Sequence, residues 1–275
     1  MLKQTEKRPV VLAIGGHDPV GGAGIQADIE SIGSNGCHAA TAITCLTVQD
    51  TCNVRKLIPI PATTLLDQAQ AVLSDCCVSA IKIGLLGHQD SASAVAELLK
   101  ANPQIPVVFD PVLAAGGGSD LANQGLLSVI RDELLPLCHL LTPNTHEALR
   151  LSRLDQDASL DHSAQTLLGT GARAVLVTGT HDMSDPQQVT HRLYRPNEPA
   201  WHSRWPRLAG EFHGSGCTLA SAIAAGLARG LSLVEASQAG LAYTWSTLEA
   251  GFAAGRCQRI PFRYLNMSHT GAPGS

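Results

Sequence analysis

Short apolar runs recur along this chain, each separated from the next by enough sequence for a helix. They occupy residues 10–15, 41–49, 80–84, 106–110, 138–142 and 174–179, and each reads as a strand. The intervening segments 24–34, 63–75, 91–100, 124–134, 145–151 and 163–168 read as helices, as do 216–229 and 233–252. Strands that are apolar on both faces and alternate with helices predict an α/β fold with a mainly parallel sheet covered on both sides. Residues 182–206 are richer in polar residues and proline, and HRLYR within them predicts one strand of a small antiparallel addition at a sheet edge. No repeat or linker divides the chain, so residues 1–266 are expected to form a single domain. The end MSHTGAPGS, residues 267–275, is expected to be a disordered tail, because it carries little apolar surface to offset its ordering entropy.

Charge and composition narrow the function. A net charge of −4 without any Lys/Arg run provides no counterion-releasing surface, which argues against a nucleic-acid partner and for small molecules. No stretch approaches the roughly 18 apolar residues of a membrane span. The start MLKQTEKRPVVLAIGG lacks the apolar core and cleavage site of a signal peptide, so a cytoplasmic location is expected. Eight cysteines without a CxxC pair fit reduced thiols in that compartment.

The first strand leads into GGHDPVGGAGIQAD, residues 15–28. Gly22-x-Gly24-x-x-Ala27 superficially matches a dinucleotide fingerprint, but that motif needs its first glycine at the strand end, and here an Asp-Pro pair and further residues intervene. The expectation is instead that Gly21, Gly22 and Gly24 let backbone approach a flat substrate while Asp28 hydrogen-bonds it. A flexible turn with an exposed carboxylate is the plain alternative.

The strongest local signal is His213-Gly214-Ser215-Gly216-Cys217-Thr218, opening an apolar helix. Small residues at a helix start leave amide N–H groups free, and the macrodipole adds positive charge there, so Gly214, Ser215, Gly216 and Cys217 form an anion-binding nest. Such a nest stabilises the charge spread over a phosphoryl group in flight. A helix N-terminus also lowers a thiol pKa, which predicts an accessible thiolate at Cys217 able to take a proton from a substrate hydroxyl. Packing of a buried cysteine behind a glycine turn is the alternative.

Asp110 and Asn144-x-x-Glu147 fall at the carboxyl ends of predicted strands, where α/β proteins place ligands. Their oxygens suit Mg²⁺ held partly through waters and nucleotide phosphates. Asn144 and Glu147 also suit the capping of a helix start, and the two duties are compatible. His146-Glu147-x-x-Arg150 begins like a zinc-protease motif but ends in Arg, which excludes it.

Taken in order, GGHDPVGGAGIQAD, TAITCLTVQDT, IKIGLLG, VVFDPVLAAGGG, LLTPNTHEA, VLVTGTHD and HGSGCTLASAIAAGLA resemble hydroxymethylpyrimidine/phosphomethylpyrimidine kinases across residues 10–230. The resemblance implies a ribokinase-like fold, usually a homodimer, and ATP- and Mg²⁺-dependent phosphorylation of a hydroxymethylpyrimidine and then its monophosphate in thiamine biosynthesis. It places Gln49 and Asp28 at the aminopyrimidine ring, Gly16 beside it, and Leu85 and Val112 on its faces. Asn144, Thr178 and Gly179 would meet the nucleotide, Asp110 and Glu147 the metal, and Cys217 stands where the catalytic base is found.

The chain departs from that pattern at His17, where Ser or Thr is usual, and at Thr178, where a phosphate-contacting Lys is usual. Its end, GRCQRIPFRYL, resembles only a subset of relatives. Two other readings use the same residues. A pyridoxal or pyridoxine kinase phosphorylates a hydroxymethyl on a pyridine, but the second cysteine that some of these carry in a lid is absent from LAAGGGSDL. A catalytically weak pyrimidine-binding regulatory protein is the reading that Thr178 favours.

Overall fold

The computed structural model describes residues 7–155, 158–182 and 184–265; the tail expected at 267–275 lies outside the described residues. Nine strands form one sheet: β1 (Val10–His17), β2 (His38–Gln49), β3 (Val54–Pro59), β4 (Val78–Ile83), β5 (Val107–Phe109), β6 (Leu140–Leu141), β7 (Val175–Val177), β8 (Gln188–Tyr194) and β9 (Trp201–Pro206). Their order across the sheet is β3-β2-β1-β4-β5-β6-β7-β8-β9. The six central strands run parallel, and β3, β8 and β9 join antiparallel at the edges.

Alternation along the strands builds two cores. Leu12, Ile14, Ile81, Ile83, Val107 and Phe109 point to one face and pack in a cluster with residues of α2 (Ala62–Asp75), α3 (Gln89–Lys100), α4 (Gln124–Val129), α5 (Thr145–Ser152) and α6 (Leu160–Gly169). Val11, Ala13, Ala80, Val108 and Leu140 point to the other, against α1 (Gly24–Ser34), α7 (Ser215–Ala228) and α8 (Leu233–Glu249). Both faces of the sheet are therefore dry, which is why its strands read as continuous apolar runs rather than alternating ones.

Differences from the expected elements lie at the edges and ends. The sequence Val54–Pro59 carries Arg55 and Lys56 and was not expected as a strand, yet it pairs with β2 from Gln49↔Val54 to Cys45↔Pro59. An edge strand with one wet face tolerates such charges. The antiparallel addition expected after β7 consists of β8, which contains HRLY, and β9. The helix expected over 124–134 is α-helical only to Val129, then widens to a π turn over Ile130–Leu134. Among the described residues no helix is long and apolar enough to cross a membrane.

The cysteines correct the expectation of uniformly reduced thiols. Cys52, in the β2–β3 turn, is disulfide-bonded to Cys257, 205 residues away, with a Cα–Cα separation of 5.0 Å. That separation lies in the ordinary range for a disulfide. The pairing leaves no spacing signal, because its partners come from opposite ends of the chain and meet only through the fold. Cys37, Cys45, Cys76, Cys77, Cys138 and Cys217 are free.

Closing so long a loop restricts the unfolded chain, so Cys52→Ser should lower stability by about 2–4 kcal/mol in non-reducing denaturant titrations. Reducing the parent protein should produce the same loss. Identical midpoints for the oxidised, reduced and substituted proteins would show that the link contributes nothing.

Candidate active site

One charged residue interrupts the apolar strand β4, and the site is built on it. The Lys82 side chain is fully buried, and its Nζ lies 2.7 Å from Asp28 Oδ1 of α1, which is equally buried. Ser221 of α7 donates to the same oxygen at 2.7 Å. Burial by itself would drive the proton off Lys82; Asp28 beside it, reinforced by Cys217 and Asp110, more than offsets that and raises the pKa above the ordinary value. Asp28, expected to bond the substrate ring, is therefore committed to a lysine that forms part of the cavity floor. The first helix turns inward at that position and shows the sheet its carboxylate.

Above this pair the helix α7 begins. Gly214 caps it in a left-handed conformation, φ 85°, with no side-chain cap bond. A Cβ there would fall 1.9 Å from the Gly22 carbonyl oxygen, so two glycine-bearing loops touch backbone to backbone. The amides that follow are left facing the cavity lined by Gly214, Ser215, Gly216 and Cys217. The glycines of the entry loop thus serve loop-on-loop packing in addition to any approach to a ligand.

Cys217 corrects the expectation of a ready thiolate. Burial raises its pKa to about 12; Lys82 opposes that rise, while the carboxylates of Asp110 and Asp28 add to it. Desolvation outweighs the helix dipole here, and the residue rests as a thiol. Asp110, which follows β5, is pushed up to about 6 by burial and by Asp28, with Lys82 and a hydrogen bond from Cys217 pulling the other way.

The cavity is about 760 Å³ and is lined from both halves of the sheet, one end by β1, β2 and the segments after β4 and β5, the other by the segments after β6 and β7 with β8 and β9. At one end Gly16, Gln49, Leu85 and Val112 form the wall, together with His17, Asp18 and Gln258. Asp18 accepts from the Val20 and Ala23 amides at 2.9 and 2.8 Å and meets His213 Nε2 at 2.9 Å. Burial would raise this carboxyl, but hydrogen bonds with His213, Gln49, Val20 and Ala23 hold it down at about 2. At the other end stand Asn144, Thr178, His181, His191 and Arg207, with Trp205 and Trp245. The rings of Trp205 and Trp245 stack 5.9 Å apart. Gly179, expected at the nucleotide, does not line the cavity: a Cβ there would meet the Thr190 carbonyl oxygen at 2.0 Å, so this glycine admits the backbone of β8.

Glu147 performs the capping role its sequence suggested. Its carboxylate accepts from the Asn144 amide at 2.9 Å while Asn144 Oδ1 accepts from the Glu147 amide at 2.9 Å. Burial, then Asp110, raises its pKa to about 8. Among the described residues no three His, Cys, Asp or Glu side chains gather as a metal cage. Two carboxylates on the cavity wall, buried Asp110 with an unpartnered Oδ2 and half-buried Glu147, nevertheless fit a Mg²⁺ that takes its remaining ligands from water and phosphate.

All but four of the residues singled out from sequence thus line a single cavity, Gly21, Gly22, Asp28 and Gly179 being the exceptions. Asp18 and Lys82 were not singled out, and His213 was noted only as the residue that precedes the nest. A lone lysine inside IKIG was the one signal available for Lys82, since a charge in an otherwise apolar strand needs a buried partner.

Residues 18–261 match the family described as phosphomethylpyrimidine kinase. A hydroxymethylpyrimidine/phosphomethylpyrimidine kinase of Synechococcus elongatus is 38% identical over 260 residues, covering 91% of this chain and 95% of that protein. Among solved structures, a Bacillus subtilis pyridoxal kinase in an ADP complex superposes with a TM-score of 0.87 at 27% identity, covering 95% of this chain and 100% of that one. A phosphomethylpyrimidine kinase from Clostridium difficile superposes with a TM-score of 0.74 at 28% identity, over 86% of this chain and 98% of that one. The fold is that of the ribokinase-like kinases.

Removing one partner of the buried pair strands the other, so Lys82→Met should cost about 3–5 kcal/mol in denaturant unfolding. The double variant Lys82→Met/Asp28→Leu should recover much of that loss. If the double variant is no more stable than the single, the ion pair is not what the floor depends on.

Proposed function

The chain belongs to the phosphomethylpyrimidine kinase family and is a phosphotransferase, and from that premise we propose that residues 1–266 act as one domain that phosphorylates a hydroxymethylpyrimidine and then its monophosphate at the expense of ATP. The observation that carries this reading is the cavity with two ends and an anion nest between them. A neutral heterocycle suits the end lined by Gln49, Leu85 and Val112, a nucleotide suits the end lined by Asn144 and Thr178, and the backbone amides of residues 214–217 lie where the phosphoryl group must pass. Arg207 lines the nucleotide end and supplies a cation there despite Thr178, which supports catalysis over a purely regulatory role.

Proton transfer follows from the two shifted groups. A thiol held at about 12 must surrender its own proton before it can take another. Asp110, hydrogen-bonded to it and held at about 6, is ionised at neutral pH and is the neighbour able to receive that proton. As the acceptor hydroxyl attacks, its proton passes to Cys217 and the thiol proton to Asp110. Mg²⁺ would be held at Glu147 and, through water, at Asp110, whose carboxylate stays able to take the proton, and would neutralise phosphate charge. A homodimer is proposed as well, supported by the cross-strand pair Leu46 and Ile58 and by Val48, apolar side chains that β2 and β3 leave exposed.

A pyridoxal kinase reading is favoured by the superposition on the Bacillus subtilis protein. The two are separated by comparing kcat/KM: hydroxymethylpyrimidine should exceed pyridoxal, and equal or reversed values would reject the assignment of substrate. In Cys217→Ala the first phosphorylation should fall about 10²–10⁴-fold. Transfer to the monophosphate should suffer less, because its oxygen is already ionised near neutral pH. An unchanged first step would remove Cys217 from the chemistry.

The metal assignment has its own pH signature. The Asp110 and Glu147 carboxyls titrate at about 6 and about 8 in the folded chain, above their ordinary values of 3.8 and 4.5. The folded state therefore binds more protons than the unfolded one, and the metal-free protein should lose stability as pH rises from the ordinary carboxylate range through about 8. Mg²⁺ with ADP should flatten that decline, and Glu147→Gln should reduce both the decline and its response. A flat metal-free profile in thermal melts, or activity that survives chelation, would defeat the assignment.

A further inference from the structure

The C-terminal segment GRCQRIPFRYL, which begins at Gly255, enters the cavity wall through one residue. Gln258 is 8% exposed and lines the same end as Gln49. Its backbone is fixed from two sides. The Gln258 amide donates to the Thr51 carbonyl at 3.2 Å, and the Cys257 amide donates to Thr51 Oγ1 at 3.3 Å. On the other side the Arg259 amide donates to the Glu211 carbonyl and the Arg259 carbonyl accepts from the His213 amide, both at 2.9 Å. The segment therefore spans from the turn that follows Gln49 to the residue that opens the anion nest.

Covalent closure falls at the centre of this span. Cys52 lies three positions after Gln49, and Cys257 immediately precedes Gln258, so the disulfide ties together the backbones that carry two carboxamides of one wall. The glycine loop completes the wall: Gln258 Nε2 donates to the Gly116 carbonyl at 3.4 Å, and a Cβ on Gly117 would come within 2.3 Å of the Cys52 carbonyl oxygen. So long a bond commits the amide only weakly. A carboxamide offers a donor and an acceptor side by side, the pattern that an aminopyrimidine edge, with its amino group next to a ring nitrogen, requires.

We infer that Gln258 is a specificity-determining residue for the aminopyrimidine acceptor, acting with Gln49, and that the Cys52–Cys257 disulfide is the element that positions it. The inference rests on the kinase reading above and extends it to the C-terminal segment. Acceptor affinity then depends on redox state. A dithiol reductant delivers two electrons and two protons to the S–S bond, giving two thiols on the protein and a disulfide on the reductant, and the segment bearing Gln258 is no longer held to the β2–β3 turn.

Calorimetric binding of hydroxymethylpyrimidine, with ADP binding as the control, tests this well below the melting temperature. Gln258→Leu, the double variant Cys52→Ser/Cys257→Ser, and the parent protein reduced with dithiothreitol should each bind the pyrimidine about tenfold more weakly, the change expected for losing one hydrogen bond to a buried ligand. ADP should bind each of them as it binds the oxidised parent. In turnover the loss should fall on the acceptor KM rather than on kcat. Unchanged pyrimidine affinity in Gln258→Leu overturns the role of Gln258, and unchanged affinity in the other two overturns the role of the disulfide. An equal loss of ADP affinity marks the segment as structural support only and overturns both. If the oxidised parent binds pyrimidine but does not phosphorylate it, the kinase reading fails while the binding comparison still decides the inference; if it binds no pyrimidine, both fail.

Discussion

The site depends on a charge pair that has no access to water. Transferring an ammonium and a carboxylate out of solvent costs several kcal/mol per ion, and mutual attraction recovers this only when the geometry is close and the remaining atoms are served. At Lys82 and Asp28 the separation is 2.7 Å and Ser221 donates to the same Asp28 oxygen from a third element, while Asp28 Oδ2 and Lys82 Nζ gain no further hydrogen-bond partner, so the pair is only partly served. Strand β4, helix α1 and helix α7 must therefore all be in place before the pair is tolerable. The same condition places the anion nest, since α7 carries both Ser221 and the amides at its start.

That pair also sets the field in which the chemistry takes place. Asp110 and Cys217 sit in the same dry region, and each would be further from ionisation without the lysine. A helix N-terminus in water would make Cys217 the more acidic of ordinary thiols. Buried beneath two loops it becomes the reverse, and the ionised partner near neutral pH is the carboxylate beside it. Local desolvation, not the motif, decides which group holds the proton.

Much of this architecture was legible in the chain. The runs at β1, β4 and β5 were readable because both faces of a central parallel strand are apolar, and the cluster of residues 214–217 was readable because three small residues before an apolar helix have few other uses. Edges were less legible: β3 wears Arg55 and Lys56 on a strand that pairs on one side only. Asp28 was assigned to the substrate because an acidic residue early in a helix after a glycine loop looks solvent-facing, and nothing local announces that Lys82 lies across from it. Asp18 was passed over because Asp-Pro reads as a turn, although its carboxylate organises that turn by accepting from Val20 and Ala23. The disulfide was beyond reach, since its halves are neighbours only after the sheet and the final segment have assembled.

A chain of net charge −4 has no long-range attraction for a polyanion, so nucleotide recognition must be local. The cavity meets that demand locally: amides at a helix start carry positive potential with no net charge, and Arg207 adds a guanidinium braced on the carbonyls of Thr180 and Asp182 at 2.8 and 2.7 Å. The opposite end presents the carboxamides of Gln49 and Gln258 and the apolar side chains of Leu85 and Val112, and the carboxylate of Asp18 beside them is already engaged by amides and His213. A neutral ring entering there meets directional hydrogen-bond partners and no uncompensated charge, whereas a phosphate entering there would lose its hydration without gaining a cation. The polarity of the cavity thus orders the two ligands before any contact with the reacting atoms is made.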